Sequence, residues 1–273
     1  MELCVNYTSE VKELFEEEKI DFIDYFKLYS INGDLSPIEW CIQNRKLIFH
    51  GLIGHGANIA SKNFLVGRNF ELQKDYYERG KCPHISFHIN LDEEDEIESE
   101  QETLSIIKEN VEVIKKTFDY NILLENVPAK RQERRRDFLS KPEFICQVLE
   151  KTNTLFLLDI SHARSAAYTL DIPFMDYINA LPLNKIKEIH LAGCVKGEDG
   201  RIVPNHSKMN QEDYELLRYL LKKCKDIDVL TLEYGPYDVK THQIIPTYNK
   251  VDNAMKKEVY ENLLKLNQII KKK

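Results

Sequence analysis

The stretch TLFLLDISHARSAAY, residues 154–168, decides the fold. Its first half, TLFLLDI (154–160), is an apolar run of strand length that belongs in a core. The run ends in Asp159, and His162 follows three residues later. A carboxylate at the end of a core strand is costly unless a partner offsets it. The rest of the chain points to metal as that partner.

Seven further β-rich runs recur: LCVN (3–6), DYFKLYS (24–30), KLIFHGL (46–52), HISFHIN (84–90), NILLEN (121–126), KEIHLAG (187–193) and DVLTLEY (228–234). Helical patterns lie between most of them. SEQETLSIIKENVEVIKKTF (99–118) keeps Leu104, Ile107, Val111 and Ile114 on one face, and KPEFICQVLEKT and QEDYELLRYLLKK follow the same period. VDNAMKKEVYENLLKLNQIIKKK is the closing helix, its lysine-rich end suited to the helix dipole. Strands alternating with helices in this number define a (β/α)8 TIM barrel. A doubly wound open sheet is the second choice, weakened because no Gly-rich phosphate loop follows the first strand. No repeat, low-complexity tract or Pro/Gly linker divides the chain, so residues 1–273 are expected to form a single barrel domain. The acidic LDEEDEIESEQE (91–102) is expected to be a solvated loop leading into a helix.

Composition narrows the function. Hydrophobic (42%) and charged (30%) fractions are those of an ordinary globular protein. A net charge of −7 disfavours a general affinity for nucleic acid. No apolar stretch would span a bilayer, and MELCVNYTSEVKELFEEEK lacks a signal peptide's apolar core, so a cytoplasmic protein without membrane contact is expected. Six scattered cysteines without a CxxC predict reduced thiols, not disulfides or a cysteine zinc site.

The polar residues fall at the C-terminal strand ends, which converge on one mouth in a barrel. His50, His88, Glu125, Asp159, His190 and Glu233 end successive strands; His162 lies just past one, and His206 lies in the loop PNHSKM. Imidazole and carboxylate without thiolate suit iron, zinc or manganese. Eight such groups exceed the needs of one ion and imply a cluster of two or three divalent ions with bridging carboxylates. Each residue alone has a plainer reading as a hydrogen-bonded rim residue; the joint pattern favours metal. His55, in GHGAN, is a substrate-contact candidate, as is Arg164, which has an equal reading as an ion-pair partner. Asn126 is placed to orient Glu125. His84 begins its strand and is expected at the opposite, stability face, and His242 at the surface. Cys194 and Ser161 lie near the mouth, and Lys27 is a candidate for the barrel interior. The basic run 130–136 is expected to be a solvated loop and helix start, with phosphate or acidic-peptide contact as the other reading.

In this order, His50, His88, Glu125, Asp159, His162, His190, His206 and Glu233 resemble the metal site of the xylose-isomerase-like barrels, in particular the endonuclease IV pattern. LENVPA looks like that enzyme's strand-five glutamate motif, and DISHARSAAY like its Asp-x-x-His motif. The wording around the ligands, VNYTSEVKELFEEEKIDFIDYFKL, LLENVP, LLDISHARSAA, EIHLAG and TLEYGP, resembles the DUF692-type barrels, the multinuclear non-heme iron-dependent oxidases, over nearly the whole chain. That resemblance implies an enzyme with two or three metal ions, iron ahead of zinc or manganese. It also implies use of dioxygen on a thiol or a cysteine-containing peptide, with a precursor peptide and its binding protein encoded separately. All eight residues become implied ligands, Glu125 as the bridge, and Glu125, Asp159 and His162 the catalytic set. Both families usually carry Asp-x-His where this chain has Pro204-Asn205-His206, so the third ion is short of a ligand. His162 is nearer the endonuclease form, since the oxidases often have asparagine there. The alternatives are an endonuclease IV-like phosphodiesterase acting on DNA, a sugar isomerase or epimerase, and a degenerate barrel that only binds a ligand.

Overall fold

A computed structural model describes the chain except residues 30–34, 54–55, 98, 130, 198–201, 235–236, 239–242, 245–250 and 273, and except the side chains of 131–135, 237–238 and 243–244. His55, His242 and Lys130 therefore lie outside the described residues. Eight short strands form one parallel sheet: β1 (Glu2–Asn6), β2 (Tyr25–Leu28), β3 (Lys46–Phe49), β4 (His84–His88), β5 (Asn121–Glu125), β6 (Leu155–Asp159), β7 (Ile186–Leu191) and, after a hairpin of β8 (Gly193–Lys196) and β9 (Ile202–Ser207), β10 (Val229–Leu232). Their order, β3-β2-β1-β10-β7-β6-β5-β4, is that of a barrel. The seam between β3 and β4 is bridged at its upper end, where His50 pairs with Ser86 and Asn58 with His88, so the barrel nearly closes.

Helices α1 (Ser9–Glu16), α2 (Ser36–Asn44), α3 (Phe70–Arg79), α4 (Glu100–Thr117), α5 (Pro142–Thr152), α6 (Ile160–Thr169), α7 (Phe174–Ala180), α8 (Gln211–Lys223) and α9 (Asn253–Ile270) surround the strands. Their starts are chemically marked. Thr8 caps α1, Ser99 caps α4, and Asn210 with Asp213 forms a reciprocal capping box on α8. Among the described residues, no helix is long and apolar enough to cross a membrane.

The two-residue period of the strands separates two interiors. Outward residues such as Leu3, Val5, Phe26, Leu28, Leu47, Phe49, Leu230 and Leu232 join the main apolar core under the helices. Inward Cys4, Tyr25, Ile48 and Val229 form a separate cluster low inside the barrel. Two and four residues further up the same inward faces stand Asn6, Lys27, Tyr29, His50 and Glu233. The strand period thus carries every strand-end ligand candidate into the mouth.

Three segments depart from expectation. His206 sits in β9 of a hairpin, not in an open loop, with a left-handed backbone (φ 50°). Residues Arg131–Ser140 form a 3₁₀ helix, and the guanidinium of Arg136 donates to the carbonyls of Asp92 (3.0 Å) and Asp95. Within the acidic loop Asp95 is buried, accepting from the backbone of Asp92 at 2.9 Å, so that segment is only partly a solvated loop.

Candidate metal centre

The strand that ends in Asp159 shows how the site is built. Asp159 caps α6: its Oδ1 accepts from the His162 backbone (2.6 Å) and the Ser161 hydroxyl (2.7 Å). Capping accounts for one carboxylate oxygen. Oδ2 is buried with no hydrogen-bond partner and lies 3.8 Å from His190 Nδ1. Asn126 holds this strand end through a pair of bonds: its amide donates to Asp159 O and accepts from Asp159 N, both at 2.9 Å. Its carbonyl oxygen lies 3.0 Å from His162 Nδ1. Asn126 thus positions Asp159 and His162, where the sequence had suggested Glu125, and its amide is fully used inside the protein.

Glu125 stands at the middle. It is fully buried, and neither carboxylate oxygen has a hydrogen-bond partner. Oε2 faces His50 (3.4 Å) and His88 (3.6 Å); Oε1 faces His162 (3.2 Å) and His190 (3.5 Å). The Nε2 atoms of His50 and His88 are 2.8 Å apart. Gly51, with φ 78°, turns the chain directly after His50; a Cβ there would come within 2.9 Å of Ala57. Glu233 lies 3.2 Å from His190 Nδ1 and 3.4 Å from His206 Nδ1, and its Oε2 is also unpartnered.

Three sets of ligand atoms, each within 4.8 Å of one another, result: His50, His88 and Glu125; Glu125, Asp159 and His162; Asp159, His190 and Glu233. Seven of the eight expected residues enter them, and Glu125 and Asp159 each serve two. His206 is the one left beside the sets, bonded to Glu233. Pro204, in the place of the expected aspartate, is buried on the same strand.

The electrostatics are those of a cation site. Burial pulls His88 and His206 down to about 4 and His50 well below its ordinary value, which favours the neutral, metal-binding form of these rings, whereas neighbouring carboxylates overcome burial and raise His190 and, to about 9, His162. Burial also opposes ionisation of Glu125, but the surrounding imidazoles, His190 foremost and His162 with it, outweigh it and hold the carboxyl well below the usual range. Glu233 is pushed up to about 7 by burial. Buried carboxylate oxygens and an imidazole nitrogen that find no hydrogen bond are rare in a folded protein. Here Glu125 Oε1 and Oε2, Asp159 Oδ2, His190 Nδ1 and Glu233 Oε2 all face one another. The donor set fits divalent ions of the iron, zinc and manganese kind.

Other candidates stand outside the sets. Arg164 pairs with Asp213 (2.7 Å) and stacks on Phe174, the ion-pair reading of that residue. The Cys194 thiol donates to Ser161 O (3.7 Å) and is pushed up to about 12 by burial. His84 is at the lower end of the barrel as expected, but buried, with Nε2 2.6 Å from Glu188. A cavity of about 390 Å³ opens at that end, lined by Glu2, His84, Lys187 and Asp228 among others; no member of the three ligand sets lines it. Sequence reasoning missed Tyr29, whose hydroxyl donates to Glu233 Oε1, and Glu188, fully buried two residues below His190. The signal was present in the period: residues two apart on a strand share its inward face.

Asp159 supplies a separable test. Asp159→Asn keeps an oxygen for the α6 cap but removes the charge, and is expected to keep the fold and lose metal. Asp159→Ala loses the cap as well, and should be less stable than Asp159→Asn by about 1 kcal/mol in urea denaturation.

Solved structures with this architecture include a xylose isomerase domain containing protein from Salmonella typhimurium LT2 (TM-score 0.63, 11% identity, 97% of each chain). Endonuclease IV from Thermus thermophilus is another (TM-score 0.57, 14% identity, 97% of this chain and 100% of that one). The protein has the TIM-barrel fold of these xylose isomerase-like structures. Residues 11–255 match the family described as RiPP precursor modification enzyme MbnB/TglH/ChrH, of the DUF692 type, and the chain belongs to that family. Among curated proteins it is 23% identical to a UPF0276 protein of Psychromonas ingrahamii over 242 residues, 84% of this chain and 83% of that one. It is 30% identical to UPF0276 protein VP3015 of Vibrio parahaemolyticus over 140 residues; that match spans 50% of this chain and 45% of the relative.

Proposed function

We propose that the protein is a cytoplasmic multinuclear iron-dependent oxidase that uses dioxygen to modify a thiol, most specifically a cysteine of a separately encoded peptide. The observation that carries this reading is the convergence of buried, unpartnered imidazole and carboxylate atoms at the barrel mouth. The family description, modification of a precursor peptide, supports a peptide substrate.

His50 and His88 with Glu125 would hold one ion, and Glu125 with Asp159 and His162 a second. Asp159, His190 and Glu233 remain for a third, which Pro204 leaves without the usual aspartate. A two-ion site or a labile third ion follows. Bound iron would supply dioxygen binding and electron transfer, with zinc or manganese as the other candidates for the site. The protein's own part is to place Glu125 between two ligand sets, to keep His50 and His88 neutral by burial, and to hold Glu233 through Tyr29.

His162 favours a second reading, phosphodiester hydrolysis of the endonuclease IV kind, because histidine at that position resembles the endonuclease form. The net charge of −7 opposes it. One experiment separates the two. Iron-loaded protein is expected to consume dioxygen with cysteine-containing peptides and not with the same peptides carrying serine instead. Zinc-loaded protein that nicks abasic DNA, with no dioxygen uptake in the iron form, would contradict the oxidase reading.

A further inference from the structure

Beneath the mouth lies a polar layer that no ligand role explains. Glu188 of β7 and Lys27 of β2 are both fully buried, with Lys27 Nζ 2.8 Å from Glu188 Oε1. The same oxygen accepts from the Thr231 hydroxyl (2.5 Å) and lies 3.1 Å from His190 Nε2, while Oε2 lies 2.6 Å from His84 Nε2. Lys27 Nζ also lies against His190 Nε2, and with a proton on Nε2 both nitrogens donate to the Glu188 Oε1 they share. A buried ion pair of this kind is weak evidence for stability, since well-packed apolar residues often replace it without loss. It has a clear geometric consequence, however. The Nε2 edge of the His190 ring is gripped from below by a carboxylate that three other groups anchor. Nδ1 is left facing upward, without a hydrogen-bond partner, toward Glu233, Glu125 and Asp159 at 3.2, 3.5 and 3.8 Å. A half-turn of the ring about its Cβ–Cγ bond would replace Nδ1 by a carbon.

We propose that the Lys27–Glu188 pair is a positioning device for the metal centre: it fixes the His190 ring so that Nδ1, and not Nε2, is the nitrogen offered to an ion. This rests on the metal-centre reading above. Groups that orient a metal-binding histidine through its second nitrogen typically account for roughly 10–100-fold in metal affinity.

The test removes both charges together, because one left alone in the barrel would destabilise it for unrelated reasons. The full chain carrying K27M and E188L is stripped of metal, its thermal midpoint measured, and then titrated with Co(II) against a competing chelator. The expected result is a midpoint near that of stripped wild type, one ion weakened roughly 10–100-fold, and the ion at His50, His88 and Glu125 unaffected. K27M combined with E188Q, which keeps a side-chain oxygen for His190 without leaving a lone charge, is expected to recover most of the affinity. Recovery of both the midpoint and every wild-type affinity in the double variant would overturn the proposal and leave a structural pair. A measurement on wild type needs no variant: two-bond ¹H–¹⁵N spectra of the zinc-loaded protein should show His190 metal-bound through Nδ1. Binding through Nε2 overturns the proposal. Wild type that binds no ion overturns the metal centre and this inference together; wild type that binds fully, with unchanged variants, overturns this inference alone.

Discussion

Glu125→Gln is expected to cut the metal content from two or three ions per chain to one at most. Glu125 belongs to two of the three ligand sets, one carboxylate oxygen turned to each side. A neutral amide keeps the volume but loses the charge, and its NH₂ end cannot ligate. The His50–His88 pair is then left without its anion, and so is His162. The set of Asp159, His190 and Glu233 is the one that survives. Activity should fall by on the order of 10³-fold, about 4 kcal/mol of barrier. The fold should persist, because nothing in the surrounding framework uses the Glu125 side chain as a hydrogen-bond partner. Elemental analysis beside far-ultraviolet circular dichroism checks both halves. A Glu125→Gln protein holding its full complement of metal would show that Glu125 is not a ligand.

Removing the ions from wild type is expected to lower the thermal midpoint by ~10 °C. Without cations, the centre confines Glu125, Asp159 and Glu233 away from water, with His162 and His190, both shifted upward by these carboxylates against burial, as their partial offset. An ion present at about a thousand times its dissociation constant adds about 4 kcal/mol of stability. For a chain of this size each kcal/mol moves the midpoint by roughly 2–4 °C. Chelation followed by differential scanning calorimetry measures the shift, and re-addition of Fe(II) under anaerobic conditions should reverse it. Glu125→Gln should respond much less. An identical midpoint with and without chelator would mean that the carboxylates are accommodated without ions.

Much of the architecture was legible because strand burial leaves a strong signature. The run ending in Asp159 has no polar residue for solvent to reach, and the others alternate inward and outward with a period of two. Once that period is known, His50, His88, Glu125, His190 and Glu233 must share one end of the barrel. The layer below them was harder to read. Glu188 looks like a surface charge within a mixed segment, Lys27 was a candidate for the interior without a partner, and only closure of the barrel brings β2 and β7 within reach of each other across its interior. Tyr29 was hidden for a similar reason: its link to Glu233 joins residues 204 apart in the chain. His206 was readable as a ligand candidate, but its setting was not, since a hairpin inserted between β7 and β10 resembles a loop when proline and glycine are frequent. Arg164 and Asn126 show the opposite limit. Their proximity to the mouth was clear, while their commitment to Asp213 and to the Asp159 backbone depends on contacts between distant elements.

The most direct measurement is the metal content of protein purified anaerobically without added metal, with a Mössbauer spectrum of an iron-57-grown sample. Two or three irons per chain, matching the three ligand sets, are expected, and they should change oxidation state on exposure to air. Zinc at the same stoichiometry, indifferent to oxygen, or no bound metal at all, would contradict the oxidase reading.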